Sequence, residues 1–242
     1  MMALFIKLYR YVFCRGGYGV HSPFVFDLIT TVIEETRAYY CYEDIHPVRL
    51  QLQQRKEELA CGQNKMTVKK MLGKYGFTER EHRLLFRLAN RFQPKTILSM
   101  GSDFGLTPLY LTTYSADSAC LVIEPDPTAA TIAQDYIAKY ATASITLRNN
   151  LHEIPEHLDF VVWGAFSFDN RFTLPAFEQL LLQMDDKSVM VIAGIKASPD
   201  AIKTWEAICA HPKVTVTLDL YRLGVVFFNP KLHRCTYKSI VW

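Results

Sequence analysis

Two short stretches combine residue types able to hold a ligand. Ser99-Met100-Gly101-Ser102-Asp103-Phe104-Gly105 ends one apolar run and leads into a helical stretch from Thr107. Glycines there let the backbone approach a ligand closely, and a helix N-terminus offers unpaired N–H groups. The next apolar run ends in Ile123-Glu124-Pro125-Asp126. That puts a carboxylate about twenty residues downstream, the separation expected of an acid that accepts hydrogen bonds from a ribose diol. Asp103 has an alternative use, as the cap of the helix that follows it.

Proton transfer near neutral pH calls for a group such as histidine. His21 lies in Arg15-Gly16-Gly17-Tyr18-Gly19-Val20-His21-Ser22-Pro23, between two apolar helical stretches, and is the candidate general base. With Tyr18 it brings hydrogen-bonding groups to a turn rich in glycine, so the turn is expected to form part of the wall or lid of a ligand pocket. In the plainer reading the glycines only let two helices meet at a sharp angle. Asp169, in Phe166-Ser167-Phe168-Asp169-Asn170, is a second catalytic candidate, with helix capping or solvation as its alternative. Trp163 and Phe166 suit an aromatic pocket wall or, equally, a core.

Strand and helix signals alternate from Lys95 onward. Strand candidates are Thr96–Met100, Ala119–Glu124, Ser144–Leu147, Leu158–Trp163, Ser188–Ile192, Val214–Leu220 and Val225–Phe228. Helix candidates are Thr107–Tyr114, Pro127–Tyr140, Thr173–Met184 and Pro199–Ala210. Near-continuous apolar strands alternating with helices predict a parallel sheet covered on both faces. The last two strands are separated only by Tyr221-Arg222-Leu223-Gly224, too few residues for a crossover helix, so they must form an antiparallel hairpin. The predicted fold is α/β, with a seven-stranded Rossmann-like sheet over residues 95–242 and a helical extension over 1–94.

Within that extension, Ser22 and Pro23 suit the start of a helix running to about Glu35. A polar helix is expected from about Asp44 to Leu59 and a loop at Gly62–Lys65. Thr78-Glu79-Arg80-Glu81 is a capping-box pattern ahead of Leu84, Leu85, Leu88 and Ala89. These helices are expected to pack onto the main domain.

Composition narrows the remaining classes. The 27 basic and 24 acidic residues are spread along the chain and leave a net charge of +3, no footprint for nucleic acid. The six cysteines are far apart, which reads as reduced thiols of a cytoplasmic protein rather than as a metal or redox motif. The apolar run Ala3–Phe13 is interrupted by Lys7 and Arg10 and is too short to span a bilayer. An amphipathic helix docked on the protein's own core is expected there, with membrane contact as the alternative.

The glycine turn, the downstream acid and the terminal hairpin together resemble the class I S-adenosylmethionine-dependent methyltransferases, over roughly Lys95 to Trp242. Gly17-Tyr18-Gly19-Val20-His21-Ser22-Pro23-Phe24-Val25-Phe26 looks like the opening of a bacterial group of methyltransferase-like proteins with a helical N-terminal part. The resemblance implies S-adenosylmethionine as cofactor, with Gly101, Ser102, Asp103 and Gly105 lining its methionine end. It also implies that Glu124 holds the ribose hydroxyls and Asp126 lies near the adenine edge. The sequence departs from the family at Ser99, where an acid is usual. No carboxylate stands at Trp163-Gly164-Ala165-Phe166-Ser167 or Ala193-Gly194-Ile195-Lys196, where metal-dependent O-methyltransferases carry ligands, so a metal-independent reaction is expected, its methyl acceptor a small molecule or a protein of open identity. The alternative implied by the same departures is a non-catalytic binding or scaffolding module on this fold.

Overall fold

The computed structural model describes residues 9–61, 64–151, 154–164 and 173–241. The chain forms two compact units, Met1–Arg37 with Phe172–Trp242, and Ala38–Arg171.

The first unit begins with a helical segment at residues 9–13 and α1 (Pro23–Leu28), which Ser22 caps through the Val25 N–H. The helix continues as a π-helical turn, Ile29–Ile33. Between them, Gly16, Gly17 and Gly19 all have positive φ. A Cβ on Gly17 would also lie 2.4 Å from the exposed Phe26 ring, which would have to shift.

The second unit opens with α2 (Tyr40–Gln54), a hairpin of β1 (Glu58–Cys61) and β2 (Asn64–Thr67), and α3 (Val68–Lys74). The helix expected to reach Leu59 therefore stops earlier, and its last residues pair as a strand instead. α4 (Glu79–Phe92) starts at the expected capping box: Thr78 Oγ1 accepts from the Glu81 N–H while Glu81 accepts from the Thr78 N–H. There follow β3 (Thr96–Met100), a tight turn at Asp103–Gly105, α5 (Leu106–Thr112), β4 (Ala119–Ile123), α6 (Pro127–Tyr140), β5 (Ser144–Arg148) and β6 (Phe160–Trp163). These strands run parallel in the order β5-β4-β3-β6. A continuous core joins Tyr42, Val48 and Leu52 of α2 to Leu109 and Tyr110 of α5 and Ile132 of α6, with Val68 and Met71 of α3 and Phe86 of α4 in the same cluster, so within this unit α2, α3 and α4 pack with the strand-and-helix part.

The first unit resumes with α7 (Leu174–Leu180), β7 (Val189–Ala193), α8 (Pro199–Ala210), β8 (Val216–Asp219), β9 (Leu223–Phe227) and β10 (Cys235–Lys238). Their order is β7-β9-β8-β10, and β9 alone runs against its neighbours. The short connection at Tyr221 thus makes the hairpin that its length demands. Each unit contributes four strands, so the described residues hold eight strands of a mostly parallel Rossmann-like α/β fold where seven were expected. The extra strand, β10, is exposed along most of its length and has no apolar run by which a sequence could betray it.

The segment at residues 9–13 docks, but through a charge. Arg10 is buried and donates to both carboxylate oxygens of Asp219 and to the Ser239 carbonyl, while Tyr9, Val12 and Phe13 are exposed. Among the described residues no helix is long and apolar enough to cross a membrane.

Candidate functional site

β3 and β4 are in register with Met100 opposite Ile123, so the Gly101 turn and Glu124 leave the strands side by side at their carboxyl ends. Ligands bind at that end of such sheets. The Gly101 N–H donates to the Ile123 carbonyl at 2.9 Å, fixing the start of the turn against the end of β4. Gly101 and Gly105 have φ of 93° and 95°, and a Cβ on Gly105 would also lie 3.1 Å from the Ala133 carbonyl oxygen of α6.

Glu124 is buried, and its Oε2 accepts from the Ser102 hydroxyl at 2.6 Å and the Ser102 N–H at 3.1 Å. Its Oε1 is 3.4 Å from the Asp126 N–H, a long contact that leaves acceptor capacity on that oxygen. Burial pushes the carboxyl upward from its ordinary range, and the hydrogen bonds from Ser102 and the Asp126 backbone oppose this. A carboxylate so held can accept from a vicinal diol without reorganising. Asp126 caps α6, its Oδ1 accepting from the Ala129 N–H at 2.8 Å. Ser99 is fully buried and donates to the Gly101 carbonyl.

Asp103 does not cap α5. Its Oδ2 accepts from the Phe77 N–H at 2.8 Å and lies 3.4 Å from His82 Nε2, so its side chain points back toward the segment before α4. Asp103 and Phe104 both have positive φ, 47° and 58°, at a cost of about 1–3 kcal/mol each for residues other than glycine. Complete burial of the Phe104 ring, worth about 1.5–3 kcal/mol, offsets one of these. Hydrogen bonds to Asp103 must supply much of the rest.

The residues behind the turn were not legible as site residues. Arg49 of α2 donates from Nη2 to His82 Nδ1 at 2.6 Å and to the Phe77 carbonyl at 3.1 Å. His82 Nε2 lies 3.1 Å from Thr107 Oγ1. The one available signal is that His82 falls on the same helical face as Leu85 and Ala89, a polar ring at an apolar spacing.

His21 and Tyr18 are exposed, Tyr18 to 82%. Asp169 and Phe166 lie outside the described residues. Trp163 is buried at the end of β6, as a core residue would be. A cleft of about 390 Å³ opens along β4 and β5, lined by residues including Leu121, Thr146, Arg148 and Ile154, but none of the turn residues lines it.

Comparison with solved structures yields methyltransferases. An O-methyltransferase from Bacillus cereus in complex with S-adenosylhomocysteine superposes with a TM-score of 0.56 at 15% identity, over 84% of this chain and 96% of that one. The O-methyltransferase TomG from Streptomyces achromogenes, in complex with S-adenosylmethionine, gives 0.54 at 15% identity over 84% and 94%. A methyltransferase from Podospora anserina, bound to S-adenosylhomocysteine, gives 0.54 at 10% identity over 80% and 99%. The fold is therefore that of the class I methyltransferases. No protein-family model and no curated sequence matches the chain.

Proposed function

We propose that this protein transfers a methyl group from S-adenosylmethionine, without a metal, to an acceptor whose identity is open. The observation that carries the reading is the juxtaposition of the Gly101–Gly105 turn with the buried, half-satisfied carboxylate of Glu124. The cofactors of the structural neighbours support it. Glu124 would accept from the ribose hydroxyls, Gly101, Ser102, Asp103 and Gly105 would surround the methionine end, and Asp126 would sit near the adenine edge. The cofactor supplies an already activated methyl sulfonium. The protein's task is then to hold donor and acceptor in line and to accept a proton where the acceptor carries one.

His21 is the proposed base, with Asp169 as the second candidate, and the Gly17–Pro23 turn is proposed as a wall of the acceptor pocket. The N-terminal segment aligns this reading with the bacterial methyltransferase-like group described above. Absence of metal chemistry rests on the residues at the strand ends, Gly164 and Gly194-Ile195-Lys196, where no carboxylate stands. A second reading, a module that binds the cofactor without turnover, is favoured by one observation: Ser99 spends its hydroxyl on the Gly101 carbonyl and supplies no charge to the site.

Calorimetric titration with S-adenosylmethionine, S-adenosylhomocysteine and NAD tests the proposal. Binding of the first two alone is expected, and binding of NAD alone overturns it. In Glu124→Ala the affinity should fall by about 1.5–3 kcal/mol, the range for hydrogen bonds to a charged group. Unchanged affinity removes the ribose assignment.

A further inference from the structure

The turn that Glu124 faces is gripped from behind by a cluster of buried polar contacts that methyl transfer itself does not use. Four segments contribute: Arg49 from α2, Phe77 from the segment before α4, His82 from α4, and Asp103 from the turn. Arg49 Nη2 donates to the Phe77 carbonyl and to His82 Nδ1, the Phe77 N–H donates to Asp103, and His82 Nε2 faces Asp103 and Thr107. Each of these groups is buried, His82 completely.

The chemistry of arginine decides where the imidazole proton sits. A guanidinium has donors only, so a 2.6 Å contact from Arg49 Nη2 requires a lone pair on His82 Nδ1. The proton must then be on Nε2, where it is shared between Thr107 Oγ1 at 3.1 Å and Asp103 Oδ2 at 3.4 Å. An imidazolium would turn a second N–H into the guanidinium. The Tyr110 ring stacks on the imidazole at 5.1 Å, and the Phe77 ring meets it edge-on at 5.5 Å, so the ring cannot flip without opening the core.

We propose that His82, locked by Arg49 as the neutral Nε2–H tautomer, is a positioning residue that sets the shape of the Gly101–Gly105 turn for the cofactor. The inference rests on the S-adenosylmethionine reading of that turn. Its physical basis is the left-handed backbone at Asp103 and Phe104. Two successive strained residues persist only where their surroundings over-determine them, and the Asp103 carboxylate is the handle by which the Phe77 N–H and, at longer range, His82 do so, with Arg49 of α2 holding both from behind. Burial also lowers the readiness of His82 to protonate, with Arg49 acting in the same direction and Asp103 and Glu81 opposing.

The test compares two amides at position 82 in the full chain. Glutamine places its N–H₂ where Nε2 was and can still reach Asp103, whereas asparagine places its amide where Nδ1 was and cannot. With S-adenosylhomocysteine as the probe, His82→Gln is expected to bind within about threefold of wild type. His82→Asn is expected to lose about tenfold or more, the equivalent of one hydrogen bond to a charged group. Equal affinity in the two variants overturns the proposal. In parallel, the ¹⁵N spectrum of the wild-type histidines should show one ring protonated at Nε2 and bare at Nδ1 at neutral pH, and no such ring would overturn the proposal without reference to any ligand. A wild type that fails to bind S-adenosylhomocysteine sinks the cofactor reading instead and leaves the tautomer result standing.

Discussion

Asp219 at the end of β8 and Asp103 after β3 are both buried acids served by a buried arginine, yet Arg10 grips Asp219 directly whereas Arg49 reaches Asp103 only at second hand, through Phe77 and His82. Arg10 makes two parallel bonds of 2.8 Å to the Asp219 carboxylate, and Lys196 Nζ adds a third at 2.6 Å. Burial alone would raise this carboxyl, but the hydrogen bonds and charges of Arg10 and Lys196 outweigh it and hold it at about 2. Asp103 instead receives one backbone N–H and a longer contact from a neutral ring. The first arrangement is a rivet. It ties residues 9–13 to the ends of β8 and β10 and has little reason to change. The second, a chain of neutral and charged donors ending on a strained turn, transmits geometry at lower electrostatic cost.

Removing the rivet should produce the largest effect. Arg10→Ala leaves a buried carboxylate short of its principal partner, and breaking a buried pair in this way costs about 3–5 kcal/mol. Urea unfolding of the variant should show that loss. A loss below about 1 kcal/mol would mean that the pair is solvated and the contrast with Asp103 is false.

Acid titration separates the two sites next. The Asp219 carboxyl is held at about 2 in the folded protein against an ordinary 3.8. The unfolded chain therefore takes up this proton first as pH falls. The stabilisation, about 2–3 kcal/mol, is fully present above about pH 4 and is lost as pH falls through about 2. Arg10→Ala should flatten this limb of the stability curve.

These two sites also mark how far the sequence could be read. Strands and helices with a complete apolar period, β3, α6 and α8 among them, were legible almost to the residue, because periodicity and caps are local properties. The hairpin at Tyr221 followed from chain length alone. Hidden were β10, an exposed edge strand, and β1, which takes residues from the end of a helical pattern. At the candidate site, Glu124 and the glycine turn could be found from their spacing, since both lie at ends of consecutive strands. Arg49 and His82 could not. Their partners are 28 to 33 residues away for Arg49 and 21 to 25 for His82, and a pairing over that distance leaves no periodic trace. Asp103 was legible as polar and near a helix start, but its true partner is the Phe77 N–H on another segment.

The histidine between Arg49 and Asp103 should leave its own signature nearer neutrality. Burial lowers the His82 pKa from the usual 6.5, so the unfolded chain binds this proton before the folded one does. Stability should then be constant above about pH 6.5 and fall below it, by at most about 1.4 kcal/mol per pH unit for a single proton. The groups facing the ring are Arg49 from α2, Asp103 from the turn, Glu81 on α4 itself and Tyr110 from α5. Urea midpoints on either side of about pH 6.5 should show the slope in wild type and not in His82→Gln. If both show it alike, another histidine is responsible.

The smallest change sharpens the comparison most closely, because it asks whether Asp219 has a spare partner. Lys196 reaches Asp219 Oδ2 at 2.6 Å, but its side chain keeps 31% of its exposure, so water competes for the ammonium and lessens the worth of the contact. Arg10 already satisfies both carboxylate oxygens, and the Tyr221 N–H supplies a further donor at 2.9 Å. Lys196→Met keeps most of the aliphatic stem, including packing near the Tyr221 ring, and removes only the charge. The expected loss is about 0–1 kcal/mol at neutral pH, with the acid limb moved upward because one of the cations holding the carboxyl down is gone. Arg10→Ala should then cost more in the Lys196→Met background than alone, since the two cations share one carboxylate and such neighbours are not additive. Strict additivity in that double-mutant cycle would show that Lys196 and Arg10 act on Asp219 independently, and the picture of a riveted acid with a redundant second cation would have to be given up.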